Sequence, residues 1–204
     1  MNNGRLLLGL TGLYCAGKNF AGEILERKGF AVLDADKLGH IALENRKEAV
    51  AERFGSGVLR ANGHVDRRAL GERVFGKPDE LAALENIVHP EVNGLTLEWI
   101  ASHGDRDRAI NAALLHKSCA FTMLDAIIFI KAPYIARMLR ARKRDGLSLK
   151  EIMRRFGSQR FDVYYSCQKT DIYYISNCGF GFYSRLNPRR LEKRLDEILS
   201  ALRG

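Results

Sequence analysis

The sequence predicts an α/β fold: a parallel five-stranded sheet with helices on both faces, carrying a helical insert and a basic lid. Three observations predict it. Short apolar runs alternate with amphipathic stretches along the 204 residues, the pattern of strands joined by right-handed crossover helices. A glycine-rich turn joins the first run to the first helix. Hydrophobic content of 46% and charged content of 28% are those of an ordinary globular chain. The length suits one domain, residues 1–204, with the insert at about 55–105 and the lid at about 137–165.

Arg5-Leu6-Leu7-Leu8-Gly9-Leu10 is an apolar run bounded by a charge and by glycine, and reads as a buried first strand. From Lys18 to Arg27, the residues Phe20, Ala21, Ile24 and Leu25 share one face of a helix. Phe30–Leu33 is the second strand and ends in Asp34-Ala35-Asp36. A helical stretch from Leu38 to Phe54 stops at Gly55-Ser56-Gly57, and residues 58–103 are mostly helical in pattern. Within them, Lys77-Pro78-Asp79-Glu80 opens a helix with proline early and acids in the first turn. Residues 108–115 read as the third strand and 126–130 as the fourth. Ser148-Leu149-Lys150-Glu151 is a capping box that opens a basic helix. Asp171–Ile175 is the fifth strand. Asn187-Pro188 starts a last helix striped by Leu191, Leu195, Ile198, Leu199 and Leu202.

The turn between the first strand and helix carries the chemistry. Gly12-Leu13-Tyr14-Cys15-Ala16-Gly17-Lys18 follows the phosphate-loop pattern G-x-x-x-x-G-K in its required strand–helix setting. Glycines let the backbone curl close to phosphates, and the curled amides and helix N-terminus aim partial positive charge at an anion. Lys18 adds a full charge for the β/γ-phosphates. Asn19 stands where Ser or Thr would give Mg²⁺ a hydroxyl. Its amide oxygen is also a hard, neutral ligand, though asparagine is equally a good N-cap.

Asp34 and Asp36 follow the second strand. Residues two apart point the same way if the strand persists, so both are candidates to face the phosphates and to orient an attacking hydroxyl. The net charge is +9, and it is concentrated: residues 137–160 hold nine basic and two acidic side chains, a local charge of +7. Such a patch suits a polyphosphate. No aromatic-interleaved motif marks a nucleic-acid binder, and Asp36-Lys37-Leu38-Gly39 lies too close to the second strand for a guanine-nucleotide switch. Cys15, Cys119, Cys167 and Cys178 lack paired metal-ligand spacing and read as free thiols of a reducing cytoplasm. No apolar run is long enough to span a membrane.

Gly9-Leu10-Thr11-Gly12, the loop, and Leu33-Asp34-Ala35-Asp36 resemble the dephospho-coenzyme A kinase family, a P-loop kinase type. The resemblance continues through Phe54-Gly55, Asn62-Gly63-His64-Val65-Asp66-Arg67-Arg68-Ala69-Leu70, Val74-Phe75 and Leu84-Glu85-Asn86-Ile87-Val88-His89-Pro90. It extends to Arg140, Arg144-Asp145-Gly146, Arg155-Phe156, Gln159, Thr170-Asp171 and Asn177-Cys178-Gly179. It implies transfer of the γ-phosphoryl of ATP, with Mg²⁺, to the ribose 3′-hydroxyl of dephospho-coenzyme A. Asp36 would act on that hydroxyl. Lys18 and the amides from Gly12 and Tyr14 through Cys15, Ala16, Gly17, Asn19 and Phe20 would hold ATP. Arg140 and Arg144 would contact phosphates from the lid, and Asn177 would lie near the adenine. Asp34, His40, His89, Leu114 and Leu115 would line the coenzyme A side.

The chain departs from that pattern at Asn19, Phe20, His40 (in place of arginine), Asn111 (aspartate), Ala113 (proline), Lys117 (glutamate) and Ala136 (glutamine). Three of these remove a hydroxyl or negative charge from the metal neighbourhood. They keep open a different metabolite as acceptor, or nucleotide and coenzyme A binding without transfer.

Overall fold

The first apolar run becomes the central strand because every residue of it is buried: Leu7–Gly12 (β1) has no exposed position. The computed structural model describes residues 4–157, 170–178 and 188–204. Two compact units are formed, one from residues 1–33 with 103–204 and one from 34–102. In the first, β1 lies between two parallel neighbours, β3 (Arg108–Asn111) and β4 (Ala126–Lys131). With β2 (Ala31–Asp34) and β5 (Asp171–Ser176) the order is β2-β3-β1-β4-β5. Leu10 pairs with Asn111 on one side and Ile128 on the other. Asn111 therefore sits level with the strand end that feeds the phosphate loop.

The two faces of the sheet are covered differently. Leu8, Leu10, Ile128 and Ile130 join Ile24 and Leu25 of α1 (Lys18–Arg27) and Leu191, Leu195, Ile198 and Leu199 of the last helix (Pro188–Arg203, here α8). Gly9 faces the other way, where a Cβ would come within 2.5 Å of Leu115 and 2.7 Å of Leu124. The missing side chain makes room for the turns after β3 to lie on the sheet. Beyond β4 come α6 (Tyr134–Asp145) and α7 (Leu149–Gly157). The expected capping box opens α7. Ser148 Oγ and its amide donate to Glu151 Oε2 at 2.6 and 2.9 Å, and the Glu151 amide donates back at 3.3 Å.

The unit of residues 34–102 is helical: α2 (Ala35–Asn45), α3 (Lys47–Phe54), α4 (Arg67–Val74) and α5 (Pro78–Ser102). They enclose Leu43, Val50, Phe54, Val58, Val65, Leu70 and Val74.

Two sequence expectations change. The single helix from Leu38 begins earlier, at Ala35, because Asp34 caps it, and it breaks at Arg46. The third strand stops at Asn111 rather than 115, and a 3₁₀ turn at Leu115–Lys117 follows. Leu115 is apolar because it packs over Gly9, not because the ladder continues. Helix α5 runs through Pro90, and the Asn86 carbonyl goes without its helical donor. Gln159, Arg160, Cys167, Gly179 and Asn187, the last of these the expected helix cap, lie outside the described residues.

Candidate active site

The phosphate loop is fixed first by what surrounds its glycines. A Cβ on Gly12 would meet the main-chain oxygen of Ile130 at 2.4 Å, and backbone cannot step aside as a side chain would. The next amide, Leu13 N, donates to that same oxygen at 3.1 Å. Gly17 has φ 103 and Cys15 has φ 58, left-handed values that glycine accepts freely and cysteine only under constraint.

The constraint comes from α6 and from the residue after β5. Arg137 Nε donates to the Tyr14 carbonyl at 2.9 Å. Arg140 Nη1 donates to the carbonyls of Cys15 and Ala16 at 3.4 and 3.3 Å. Asn177 Nδ2 donates to Ala16 O at 2.8 Å, and Arg140 Nη2 reaches Asn177 O at 3.4 Å. Three successive loop carbonyls are thus drawn to one side. In a trans peptide the following N–H points the opposite way, so the amides of Cys15, Ala16 and Gly17 turn away from α6. The Ala16 amide closes the turn on Leu13 O at 2.9 Å. Burial lowers the pKa of both Arg137 and Arg140, yet a guanidinium stays charged. Positive charge therefore stands behind the whole loop.

In the sequence Arg137 is one basic residue of the run 137–160. A helical register of Tyr134, Arg137 and Arg140 directly after β4 was the available signal, but nothing local says which arginine of a basic helix turns inward. Arg140 and Asn177, expected at the ATP phosphates and the adenine, both contact the loop's main chain. Arg144, on the same helix, donates to Asp145 at 2.7 Å and lies 5.3 Å over the Tyr14 ring. Burial raises the Cys15 thiol pKa against the pull of Arg144.

Lys18 is the first residue of α1 and Asn19 the second. Asn19 is therefore not the N-cap; that boundary falls on Gly17, which has no side chain to offer. Instead Asn19 Oδ1 accepts from Asn111 Nδ2 at 3.3 Å. Asn111 is 4% exposed, and its Oδ1 has no hydrogen-bond partner among the described residues. The hydroxyl of buried Thr11 is in the same position. Buried polar atoms are rarely left so, and two departures from the family pattern meet at this spot. Two amide oxygens are hard, neutral donors. They fit a Mg²⁺ ion that arrives on a triphosphate and takes its charge balance from it.

The other predicted residues divide. Phe20 packs partly buried against the α1–sheet–α8 core, so its contribution to the loop is its backbone. Leu114 is exposed, whereas Leu115 is fully buried and its side chain is core. In the helical unit, Asp34 N-caps α2 through the Lys37 amide at 3.3 Å. Asp36 falls in the first turn of that helix. The two acids are thus not alternate residues of one strand, and the argument for a shared face lapses. His40 lies on α2 and His89 inside α5.

A sequence model described as dephospho-CoA kinase matches residues 6–164. The dephospho-CoA kinase of Anaeromyxobacter dehalogenans is 33% identical over 204 residues, 97% of this chain and 92% of that one. That of Treponema pallidum is 33% identical over 184 residues, covering 85% and 87%. Among solved structures, TT1252 from Thermus thermophilus superposes with a TM-score of 0.79 at 30% identity, covering 98% of this chain and 99% of that one. The dephospho-CoA kinase from Campylobacter jejuni (TM-score 0.64, 24% identity, 98% of each chain) shares the fold. A loop built for phosphates, on a sheet of this order, in a chain aligned nearly end to end with these relatives, leaves one assignment: the chain belongs to the dephospho-CoA kinase family.

Proposed function

We propose that the protein transfers the γ-phosphoryl group of ATP to the ribose 3′-hydroxyl of dephospho-coenzyme A, the last step of coenzyme A synthesis. The observation that carries this reading is the loop whose carbonyls at Tyr14, Cys15 and Ala16 are all held by α6 and Asn177. Its amides are oriented before a ligand arrives, so binding triphosphate costs little reorganisation. Lys18 adds charge at the phosphates where it builds up during transfer. Arg137 and Arg140 keep the cradle in shape from behind, and Arg140 acts through the loop rather than on the phosphoryl group. Asn177 anchors the rim next to the nucleotide.

Asp36 orients the attacking hydroxyl and takes its proton as the oxygen–phosphorus bond forms and the β–γ bridge breaks. Asp34 fixes the start of the helix that carries Asp36. His40, His89 and Leu114 belong to the acceptor side. Asn19 and Asn111 are the side chains that would hold Mg²⁺ with the nucleotide. The metal, when bound, neutralises charge shared between the β- and γ-phosphates.

Incubation with Mg²⁺-ATP and dephospho-coenzyme A should yield ADP and coenzyme A by mass spectrometry, with other nucleosides and sugars poor acceptors. Tight ATP binding with no product from any acceptor would contradict the reading. With Asp36→Asn, turnover should fall by about a thousandfold or more with melting temperature unchanged.

A further inference from the structure

Helix α2 carries Asp36 and His40 on one ridge. They lie one turn apart, and Glu44 continues the row by another turn. Another flank of the helix end is clamped to α5: Asn45 Nδ2 donates to Glu91 Oε1 at 2.8 Å, and Arg46 Nε and Nη2 donate to Glu91 Oε2 at 3.0 and 2.9 Å. The ridge of Asp36, His40 and Glu44 ends instead against the turn of residues 59–65. There Glu44 Oε2 meets His64 Nδ1 at 3.1 Å, and Glu44 Oε1 accepts from the Val65 amide at 3.2 Å.

The turn holds that imidazole in place. Leu59 and Val65 form an antiparallel bridge. The Arg60 amide donates to His64 O at 2.8 Å, and the Gly63 amide to Arg60 O at 2.9 Å. Gly63 takes φ 77, a value that a side chain would resist, and the His64 amide donates to Asn62 Oδ1 at 3.2 Å. With its backbone and Nδ1 both tied, His64 still exposes 64% of its side chain. The bond to His64 leads in holding the Glu44 carboxyl below its ordinary range, opposed by burial and helped by the Val65 amide. An ionised carboxylate only accepts, so His64 Nδ1 carries a proton and Nε2 is the free position, a donor when the ring is an imidazolium. The charged groups around the ring are Glu44, Lys47 beyond it, and Arg60 and Asp66, which pair with each other at 3.7 Å.

Dephospho-coenzyme A carries a diphosphate on the 5′ carbon of the ribose whose 3′-hydroxyl accepts. From Asp36, His40 and Glu44 lie about 6 and 12 Å along the helix axis, the reach from that hydroxyl to the diphosphate and a little beyond. His40 stands where the resemblance implies arginine, so the ridge lacks the always-charged fork that suits phosphate. A second imidazole at the end of the same row supplies a cationic donor. Resting on the reading of Asp36 and its acceptor above, we propose that His64, oriented by Glu44, is an acceptor-binding residue whose Nε2 donates to the diphosphate of dephospho-coenzyme A. Glu44 is a positioning residue and acts through the ring.

The test reads acceptor binding by calorimetry with the ATP site filled by β,γ-imido-ATP, so that no transfer takes place. His64→Ala should weaken dephospho-coenzyme A binding about tenfold, and His64→Arg, which brings its own charge, should stay within about threefold of wild type. Adenosine, which has the ribose but no diphosphate, should bind wild type and His64→Ala alike. Glu44→Gln keeps an acceptor for the Val65 amide and removes the charge beside the ring. Its loss should match that of His64→Ala, and the double variant should be no weaker than the poorer single one. Melting temperature and affinity for β,γ-imido-ATP should stay put in His64→Ala. Unchanged affinity for dephospho-coenzyme A in His64→Ala, equal weakening of adenosine, no rescue by arginine, or additive losses overturn the proposal. A wild-type protein that binds dephospho-coenzyme A yet makes no coenzyme A with ATP sinks the kinase reading and still lets the binding series decide on His64.

Discussion

Single atoms decide the phosphate loop. At Gly12 the obstacle to a side chain is a carbonyl oxygen of the neighbouring strand. Gly12→Ala should therefore abolish measurable ATP binding by calorimetry while the folded chain persists; ATP affinity within about threefold of wild type would remove Gly12 from the account. At Gly9 the obstacles are the ends of Leu115 and Leu124, which can move. The glycines and Lys18 were legible in the sequence because their chemistry is local: each is needed for its own backbone shape or charge. Asn19 was legible as an anomaly, and the resemblance grouped it with Asn111 and Lys117 near the metal, but the bond between the two amides was not legible. Asn111 lies 92 positions away, and only the parallel register of β1 and β3 brings the two amides together. Asn111→Asp should restore a negative charge there. It should lower the Mn²⁺ concentration that half-saturates the ATP complex by about tenfold, followed by electron paramagnetic resonance. An unchanged or raised value would show that the pair does not face the metal.

At the scale of elements, the strands and helices were readable wherever burial and period coincide, as in β1, β4 and the stripe of α8. Their ends were not. Residues 108–115 look continuous because apolar character serves two purposes, ladder core up to Asn111 and surface-covering turn at Leu115. Asp34 is legible as an acid at a strand end but not as the cap of α2, a role that its bond from the Lys37 amide adds to any part it has in the site. Helix α6 was legible as basic but not as the wall behind the loop, since a charge run is usually solvated. The corner between α6 and α7 has a readable pH response. The Arg144 hydrogen bonds, helped by the one from Tyr14 and outweighing the opposite effect of burial, hold the Asp145 carboxyl below its ordinary range. A depressed folded-state value means that its stabilisation is present above the unfolded value of about 3.9 and is lost as pH falls through the folded one. Amide exchange in residues 134–157, compared with Asp145→Asn, should therefore be flat from pH 7 to about 5 and rise below about 4. A rise already at pH 6 would mean that Asp145 does not hold the corner.

At the scale of the molecule, alternation of strand and helix predicted the parallel sheet, and the aligned relatives agree with it over nearly the full length. Among the described residues no helix is long and apolar enough to cross a membrane. The excess of positive charge near the loop has a structural use, since Arg137 and Arg140 of α6 hold the carbonyls of Tyr14, Cys15 and Ala16. What sequence alone left open was whether a site with amides in place of a hydroxyl and a carboxylate still transfers a phosphoryl group. The measurement that bears on this most directly follows the phosphorus itself. With ATP carrying ¹⁸O in its γ-phosphoryl group, the protein should convert dephospho-coenzyme A into coenzyme A whose 3′-phosphate alone is labelled, by fragmentation mass spectrometry. Labelled ATP that remains bound and intact beside unreacted dephospho-coenzyme A would contradict the account.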